Sequence, residues 1–168
     1  REKVIQIAAK LKTFLPALKL NIVPFTDIQI YIKKSCKQED ITLLSRAAMM
    51  QISDIIANNQ KANSIITGES LSQVASQTAE NIRFTGSKTT LPVLRPLIGF
   101  DKEEIITKAK EIGTYDISIQ PFPDCCSVFA PDHPVLRADF DKMTESYNNI
   151  GLDTLIDNAV NALNIIRL

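Results

Sequence analysis

The chain lacks tryptophan and contains little histidine or cysteine. Among its 168 residues there is one histidine, His133, and there are three cysteines, Cys36, Cys125 and Cys126. An odd number of cysteines without a secretion signal argues against a disulfide framework. A single histidine and one vicinal cysteine pair give poor support for a zinc site. We therefore predict neither structural disulfides nor a bound metal ion held by the chain itself.

Long apolar runs and an excess of charge are also missing. No apolar run reaches the roughly 18 residues that a membrane-spanning helix needs, and no secretory leader opens the chain. The 19 basic and 19 acidic residues give a net charge of zero. A domain that holds nucleic acid alone is normally basic, because contacts with phosphates dominate such affinity. We therefore expect a soluble, cytoplasmic protein without a membrane partner, in which any RNA is held mainly by other domains.

What is present is typical of a globular domain. Apolar residues make up 45% of the chain and charged residues 23%, and 168 residues are enough for one domain with a core of its own. The chain opens at Arg1, without a methionine, directly inside a helical pattern. We interpret it as a piece of a longer protein.

Helical and strand patterns alternate along the chain. Apolar spacing predicts helices over residues 2–15, 28–34, 42–58, 70–81 and 102–111, and two more after residue 139 that are separated near Gly151. Short runs of branched residues predict strands over residues 18–25, 62–67, 91–98 and 116–119, the third interrupted by prolines. This alternation indicates an α/β fold with a mostly parallel sheet.

The turn that follows the strand at residues 62–67 is the first candidate site. Ligands of such sheets bind at the carboxyl ends of the strands. Gly68 would let a ligand approach the backbone closely, and the start of the expected helix would offer free N–H groups. In that helix Gln73 and Gln77 would share one face with Ser70. The face suits a nucleotide, although a solvated helix surface is an equally open interpretation.

Arg46 is a charged residue inside the otherwise apolar pattern of residues 42–58. Its guanidinium group can extend to solvent along an apolar stem. It can equally point into a cleft and bind a phosphate, for which its geometry is well suited. The sequence pattern leaves both interpretations open.

The cysteines form the second candidate site. Cys125 and Cys126 lie in a proline-rich loop, where a thiolate would be accessible as a nucleophile, but free cysteines often serve as small buried apolar residues. His133 follows close by and could tune a thiolate or be merely exposed. Cys36 lies among lysines that could depress its pKa, or simply at a solvated helix end.

Three stretches together resemble one known family. They are residues 20–32, residues 66–82 (ITGESLSQVASQTAENI) and residues 91–126, which ends in PFPDCC. In order and spacing they are similar to the tRNA 4-thiouridine synthetases, also called thiamine biosynthesis sulfurtransferases (ThiI). The resemblance extends from residue 1 to about residue 140, and residues 141–168 match only loosely. It implies one partial domain over residues 1–168, with a Rossmann-like parallel sheet of the PP-loop ATP-pyrophosphatase (adenine nucleotide alpha hydrolase-like) type.

The resemblance also implies an activity. Members use ATP, with Mg²⁺, to adenylate uridine 8 of tRNA at O4, and persulfide sulfur from a cysteine desulfurase or another donor then replaces the oxygen. The family is also linked to sulfur supply for the thiamine thiazole. By resemblance, Arg46, Gly68 and Gln77 bind the nucleotide and Cys126 handles sulfur, whereas the role of Cys125 is less settled.

The chain also departs from the family pattern. The Ser-Gly-Gly-x-Asp-Ser phosphate loop and the first strands are absent, as are the RNA-binding domains, and Ala47 stands where members often have arginine. The resemblance implies that a missing strand belongs between residues 21–25 and residues 65–67. We therefore expect the isolated chain to be inactive, and to pair with a second copy as a homodimer or to rearrange locally.

Two other functions remain open from the sequence. The chain can be a nucleotide-binding or dimerisation module without activity of its own. It can also belong to another PP-loop ATPase, such as a tRNA 2-thiolation enzyme, although the GESLSQVASQT and PFPDCC stretches favour 4-thiouridine synthesis.

Overall fold

The structure is a computed structural model that describes residues 1–121 and 133–168. In this part of the chain eight helices lie between and around four short strands. The helices are α1 (Glu2–Leu11), α2 (Thr26–Ser35), α3 (Ile41–Asn59), α4 (Ala79–Gly86), α5 (Lys102–Glu111), α6 (Tyr115–Ser118), α7 (Phe140–Ile150) and α8 (Asp153–Asn161). The strands are β1 (Lys19–Ile22), β2 (Ile65–Ile66), β3 (Val93–Leu94) and β4 (Asn164–Arg167).

Helix α3 forms the centre of the core. Its 19 residues include Leu44, Ala47 and Ala48, which are completely buried. Helices α2, α4, α7 and α8 contribute buried apolar side chains to the same cluster around α3. Phe84 of α4 makes edge-to-face contacts with Phe140 and Tyr147, with ring centroids 6.4 and 6.5 Å apart. The last two helices therefore pack into the same core as the helices of the family-like part.

The strands form two separate pairs. Strands β2 and β3 are parallel, with Ile65 opposite Val93, whereas β1 and β4 are antiparallel, with Lys19 opposite Arg167. The α/β class is confirmed, with the predicted parallel pairing present in β2–β3, whereas β1–β4 is an antiparallel pair that the sequence did not predict. The sequence prediction missed β4, because its four residues follow a helix directly and gain their backbone partners only from β1.

The prolines keep β3 short. The expected strand over residues 91–98 is reduced to Val93–Leu94, which lies between Pro92 and Pro96. Proline has no N–H to donate to a strand ladder, which limits pairing on both sides. The backbone N–H of Ile65 still donates to the carbonyl of Pro92 at 2.9 Å, and that of Thr67 to Leu94 at 3.0 Å. The prediction of a brief strand is confirmed.

The helix expected over residues 70–81 does not form as a single element. A loop leads to a 3-10 turn over Ala75–Gln77, and α4 begins only at Ala79, with Thr78 as its N-cap. Ser72 has a positive φ of 62°, which is incompatible with a right-handed helix. Serine and threonine side chains compete for local backbone hydrogen bonds and favour such turns and caps. The short strand expected over residues 116–119 is also wrong: helix α6 occupies this region and packs against α1 and α5.

Other local predictions are confirmed. Helix α5 covers Lys102–Glu111 as expected, and Asp101 and Glu104 form a reciprocal capping box at its start. Gly113 follows with φ of 69°, the left-handed conformation that commonly ends helices. A Cβ atom at this position would lie 2.7 Å from Cε of Lys10, so α1 also approaches too closely for a larger residue without adjustment.

Asp54 connects α3 to the segment that leads into β3. Its carboxylate accepts hydrogen bonds from the hydroxyl of Thr89 at 2.7 Å, the backbone N–H of Thr90 at 2.8 Å and that of Leu91 at 3.3 Å. Partial burial alone would raise the pKa of Asp54, but these hydrogen bonds outweigh it and hold the pKa below that of an ordinary aspartate. The ionised carboxylate thus stabilises the register of the β2–β3 pair.

We predict that Asp54→Ala lowers the free energy of unfolding by about 2 kcal/mol at pH 7, since several hydrogen bonds to a charged acceptor are lost. The folded-state pKa is depressed, so this contribution is present above the unfolded-state pKa of about 3.9 and disappears as pH falls through the folded-state value. Chemical denaturation at pH 7 and pH 3 measures both effects. Asp157→Ala, at an exposed position of α8, is the matched control and should change the stability by less than about 0.5 kcal/mol.

Candidate functional site

Glu69 is a buried carboxylate that joins two arginines. Its side chain is 5% exposed, and its Oε1 accepts a hydrogen bond from Nη2 of Arg46 at 2.5 Å. Its Oε2 accepts from Nε of Arg95 at 2.7 Å and from the hydroxyl of Thr67 at 3.0 Å. Both carboxylate oxygens are therefore held by charged or hydroxyl donors.

The β2–β3 pair brings these residues together. Glu69 follows β2 after Thr67 and Gly68, and Arg95 follows β3 directly. Because parallel strands end at the same edge, both side chains lie at the edge where α/β proteins bind ligands. Arg46 reaches the same point from α3. The guanidinium group of Arg46 pairs with a buried carboxylate, and the side chain is 29% exposed. Contact of Arg46 with a phosphate stays a prediction.

Glu69 stays ionised because its donors outweigh its burial. Burial alone would raise the pKa of this carboxyl group, but hydrogen bonds from Arg95, Arg46 and Thr67 hold the pKa below that of an ordinary glutamate. Two guanidinium groups around one carboxylate leave a local net charge of +1. The arrangement suits an anionic ligand at the exposed side of the arginines.

The turn beside this network is open. Gly68 is exposed, and a Cβ atom built on it would meet no atom within 4 Å. Nε of Arg46 is buried without a hydrogen-bond partner among the described residues. The open backbone at Gly68 fits a ligand that approaches the end of β2 closely.

Gln77 lies at the far end of the same loop. The backbone N–H of Ser72 donates to the carbonyl of Gln77 at 2.9 Å, which closes the loop over residues 72–77. Ser70 is buried, and its hydroxyl donates to the carbonyl of Phe100 at 2.7 Å. The predicted shared helical face of Ser70, Gln73 and Gln77 is therefore wrong, and Gln77 ends a closed loop that begins four residues after Gly68.

The vicinal cysteines, Cys125 and Cys126, lie outside the described residues. His133 is exposed. Cys36 is described, and burial, followed by the negative charge of Asp40, raises the pKa of its thiol to about 11. The suggestion that neighbouring lysines depress this pKa is wrong, so Cys36 is a protonated, weakly nucleophilic thiol at neutral pH.

Two residues of the site, Glu69 and Arg95, escaped the sequence prediction. The sequence contained a signal for each. Glu69 comes directly after the glycine at the end of a strand, and Arg95 lies between the end of β3 and Pro96. Arg46 and Arg95 are 23 and 26 residues away from Glu69 in the sequence, so only their contacts in the folded structure identify the three residues as one network.

Neither a metal-ligand cluster nor a membrane-spanning helix is found in the part of the chain that the structure describes. In residues 1–121 and 133–168, no three histidine, cysteine or acidic side chains are grouped so that they could hold a metal ion. Over the same ranges, every helix is too short or too polar to cross a membrane.

The strand pairs and the charged site define an α/β protein with an anion-compatible site at the carboxyl ends of parallel strands. The sequence model of the family described as thiamine biosynthesis protein (ThiI) matches residues 1–152. The chain belongs to the ThiI family.

Curated relatives agree with this assignment. The chain is 42% identical over 168 residues to a probable tRNA sulfurtransferase of Acetivibrio thermocellus, and covers 100% of itself and 43% of that protein. It is 46% identical over 159 residues to a probable tRNA sulfurtransferase of Treponema pallidum (strain Nichols), covering 95% of itself and 40% of the relative. The chain thus spans less than half the length of these relatives.

A solved structure shares the fold. It is a crystal structure of a 4-thiouridine synthetase in complex with RNA and with bound ATP. The TM-score is 0.89 at 39% sequence identity, and the match covers 98% of this chain and 44% of the other. The similarity therefore includes all of the elements that position the Glu69 network.

We predict that Glu69→Gln lowers the free energy of unfolding by about 2 kcal/mol at pH 7, less than for a fully buried ion pair because both arginines are partly exposed. The folded-state pKa of Glu69 is depressed, so the difference from wild type should be complete above the unfolded-state pKa of about 4.3 and shrink as pH falls below it. Denaturation at pH 7 and pH 3 measures this. Glu103→Gln, at an exposed position of α5, is the control, and equal stabilities of the two variants would contradict the role of Glu69.

We also predict that Cys36 reacts slowly with iodoacetamide at pH 8, because a thiol with a pKa of about 11 is only about 0.1% thiolate there. Peptide mass spectrometry after timed alkylation measures the rate at each cysteine. Unfolding in denaturant should restore an ordinary pKa of about 8.5 and accelerate the reaction by more than about 100-fold. A native rate equal to the unfolded rate would show that burial does not suppress the thiolate.

Proposed function

We propose that the whole protein to which this chain belongs is an ATP-dependent tRNA uracil 4-sulfurtransferase that converts uridine 8 to 4-thiouridine. The observation that carries the proposal is the Arg46–Glu69–Arg95 network beside the open Gly68 turn. It is supported by membership of the ThiI family and by the likeness to an ATP-bound 4-thiouridine synthetase. A link to sulfur supply for the thiamine thiazole is part of the same proposal.

The nucleotide is proposed to lie at the end of β2. Arg46, steadied by Glu69, would donate to a phosphate or to the adenine side of ATP, while Gly68 lets the ligand approach the backbone. Gln77 would close the pocket from the other end of its loop. Mg²⁺ is expected to accompany ATP and to be held largely by phosphate oxygens, as is usual for this ion.

The proposed chemistry has two steps. O4 of the uracil attacks the α-phosphate of ATP and pyrophosphate leaves. The terminal sulfur of a persulfide then attacks C4, and AMP leaves with the former O4. After this attack the outer sulfur is bonded both to C4 and to the cysteine that carried it. A second thiol then attacks the sulfur of that cysteine and forms a disulfide with it, and the bond to the outer sulfur breaks, which leaves that sulfur on C4 as 4-thiouridine. We propose that Cys126 is either the cysteine that carries the persulfide or the thiol that attacks it. Cleavage of the bond between the α- and β-phosphates of ATP would thus convert O4 into part of a good leaving group, AMP.

The 168 residues alone are proposed to be inactive. Strands β1 and β2 belong to different pairs. This separation is expected if the strand that lies between them in the complete sheet is supplied by the rest of the protein. That strand would bring the Ser-Gly-Gly-x-Asp-Ser loop, whose backbone N–H groups would bind the pyrophosphate part of ATP. By itself the chain would remain a nucleotide-binding or dimerisation module, with unpaired strand edges that favour association with a second copy.

The partners follow from this proposal. The tRNA would be held mainly by domains outside the chain, in agreement with a net charge of zero here. A cysteine desulfurase or another persulfide donor would supply sulfur, and the protein would act as a homodimer in the cytoplasm.

The assignment of Cys126 gives a direct test. In the full-length protein, Cys126→Ser should abolish thiolation of tRNA and leave ATP-dependent adenylation, measured as pyrophosphate release, within about twofold of wild type. Thiolation is read as 4-thiouridine by mass spectrometry of digested tRNA. Cys36→Ser is the matched control and should retain both activities, because its thiol stays protonated and outside the sulfur chemistry.

Two results would contradict the proposal in different ways. Thiolation that survives Cys126→Ser but is lost in Cys125→Ser would transfer the sulfur role to the neighbouring thiol. A wild-type protein that releases no pyrophosphate with tRNA and ATP would remove the sulfurtransferase assignment itself.

A further inference from the structure

Asn81 has a completely buried side-chain amide that joins two distant segments. Its Nδ2 donates hydrogen bonds to the carbonyl of Ala75 at 2.9 Å and to the carbonyl of Val135 at 2.8 Å. Its Oδ1 accepts one from the backbone N–H of Ala138 at 3.0 Å. The residue has 0% exposure, so the polar backbone groups of both segments depend on this one amide for their satisfaction.

One of these segments is the turn that carries Gln77. Ala75 and Gln77 belong to the same 3-10 turn, and Thr78 follows as the N-cap of α4. The hydroxyl of Thr78 accepts a hydrogen bond from the backbone N–H of Asn81 at 3.3 Å. The amide is therefore fixed at the first turn of α4, directly behind the proposed nucleotide loop.

The other segment, residues 135–138, follows the vicinal cysteines in the sequence. Val135 and Ala138 come nine and twelve residues after Cys126 in the sequence. The backbone N–H of Val135 also donates to the carbonyl of Glu39 at 3.2 Å, next to the start of α3. Hence residues 135–138 are attached to the nucleotide turn by Asn81 and to the segment before α3 by Glu39.

We propose that Asn81 is a positioning residue whose amide holds the nucleotide turn and residues 135–138 in one fixed relation, and that efficient transfer of sulfur to the adenylated uracil depends on this relation. This inference rests on the proposed function, since it uses the roles given there to Gln77 and Cys126. Asn81 itself touches neither nucleotide nor sulfur. It acts through the backbone at Ala75, Val135 and Ala138.

The amide chemistry explains why asparagine is required. Two acceptor carbonyls and one donor N–H converge on the side chain, and only an amide supplies two N–H donors and one oxygen acceptor in that space. In Asn81→Asp a carboxylate oxygen would face the two carbonyl oxygens. In Asn81→Leu, which has a similar volume, all three backbone groups would lose their partner.

The test uses the full-length protein with tRNA, ATP and a persulfide donor. Asn81→Leu and Asn81→Asp are compared with wild type in single-turnover pyrophosphate release and in 4-thiouridine formation, at a temperature well below the midpoint of unfolding of every variant. We expect 4-thiouridine formation per adenylation event to fall by about tenfold or more, because small misplacements of reacting groups cost this much. The KM for ATP should rise as well, since the Gln77 turn is loosened. Asn81→Ser, which keeps a hydroxyl in a smaller side chain, replaces either variant that does not fold.

Asp54→Ala is the matched control. Asp54 also satisfies several backbone and side-chain donors across two segments, but it joins α3 to residues 89–91 and touches neither the nucleotide turn nor residues 135–138. It should lose stability without a change in the ratio of thiolation to adenylation. Hydrogen exchange should show faster exchange of the Ala138 amide in the Asn81 variants only.

The outcomes separate the inference from the proposed function. If the Asn81 variants lose both steps in equal proportion, as a destabilised protein would, the positioning role is overturned while the sulfurtransferase assignment stands. If wild type carries out neither step, the proposed function fails and the inference fails with it. A selective loss of thiolation, with accelerated exchange at Ala138, supports the positioning role.

Discussion

The site depends on a buried carboxylate between two guanidinium groups. Without the negative charge of Glu69, Arg46 and Arg95 would repel each other at the carboxyl ends of β2 and β3, and neither would have a fixed direction. With it, α3 and the two parallel strands are held together at the edge where a ligand would bind. In the proposed nucleotide site the network would thus serve to orient the ligand at this edge.

The parts of the fold that the sequence predicted are those with local causes. Helix α5 begins at a capping box between Asp101 and Glu104 and is followed by the left-handed Gly113. All three residues lie within the helix or close to one of its ends. The length of β3 follows equally from its flanking prolines. The family resemblance extended this to the class of fold. It also pointed to Gly68, directly before Glu69, and to Arg46, which pairs with Glu69, but their contact with a nucleotide stays a prediction.

The wrong predictions concern elements that depend on distant residues or on unusual backbone angles. Helical spacing over residues 70–81 gave no warning of the positive φ at Ser72 or of the buried Ser70 hydroxyl, which donates to Phe100. The pKa of Cys36 depends on burial and on Asp40, whereas the sequence displays mainly the neighbouring lysines. Glu69 and Arg95 have ordinary sequence neighbours, and their pairing exists only because β2 and β3 run in parallel.

The β1–β4 pair has a consequence for how the chain folds. Lys19 lies opposite Arg167, so almost the entire polypeptide intervenes between the two partners. Closing so long a loop is entropically costly, and contacts of such high sequence separation slow folding and form after local ones. Helices α2, α3 and α4 are close in sequence and can pack together early, but the β1–β4 pair can form only after residues 164–167 have been made. During synthesis β1 would therefore emerge well before β4 and would remain without this partner until residues 164–167 have been made.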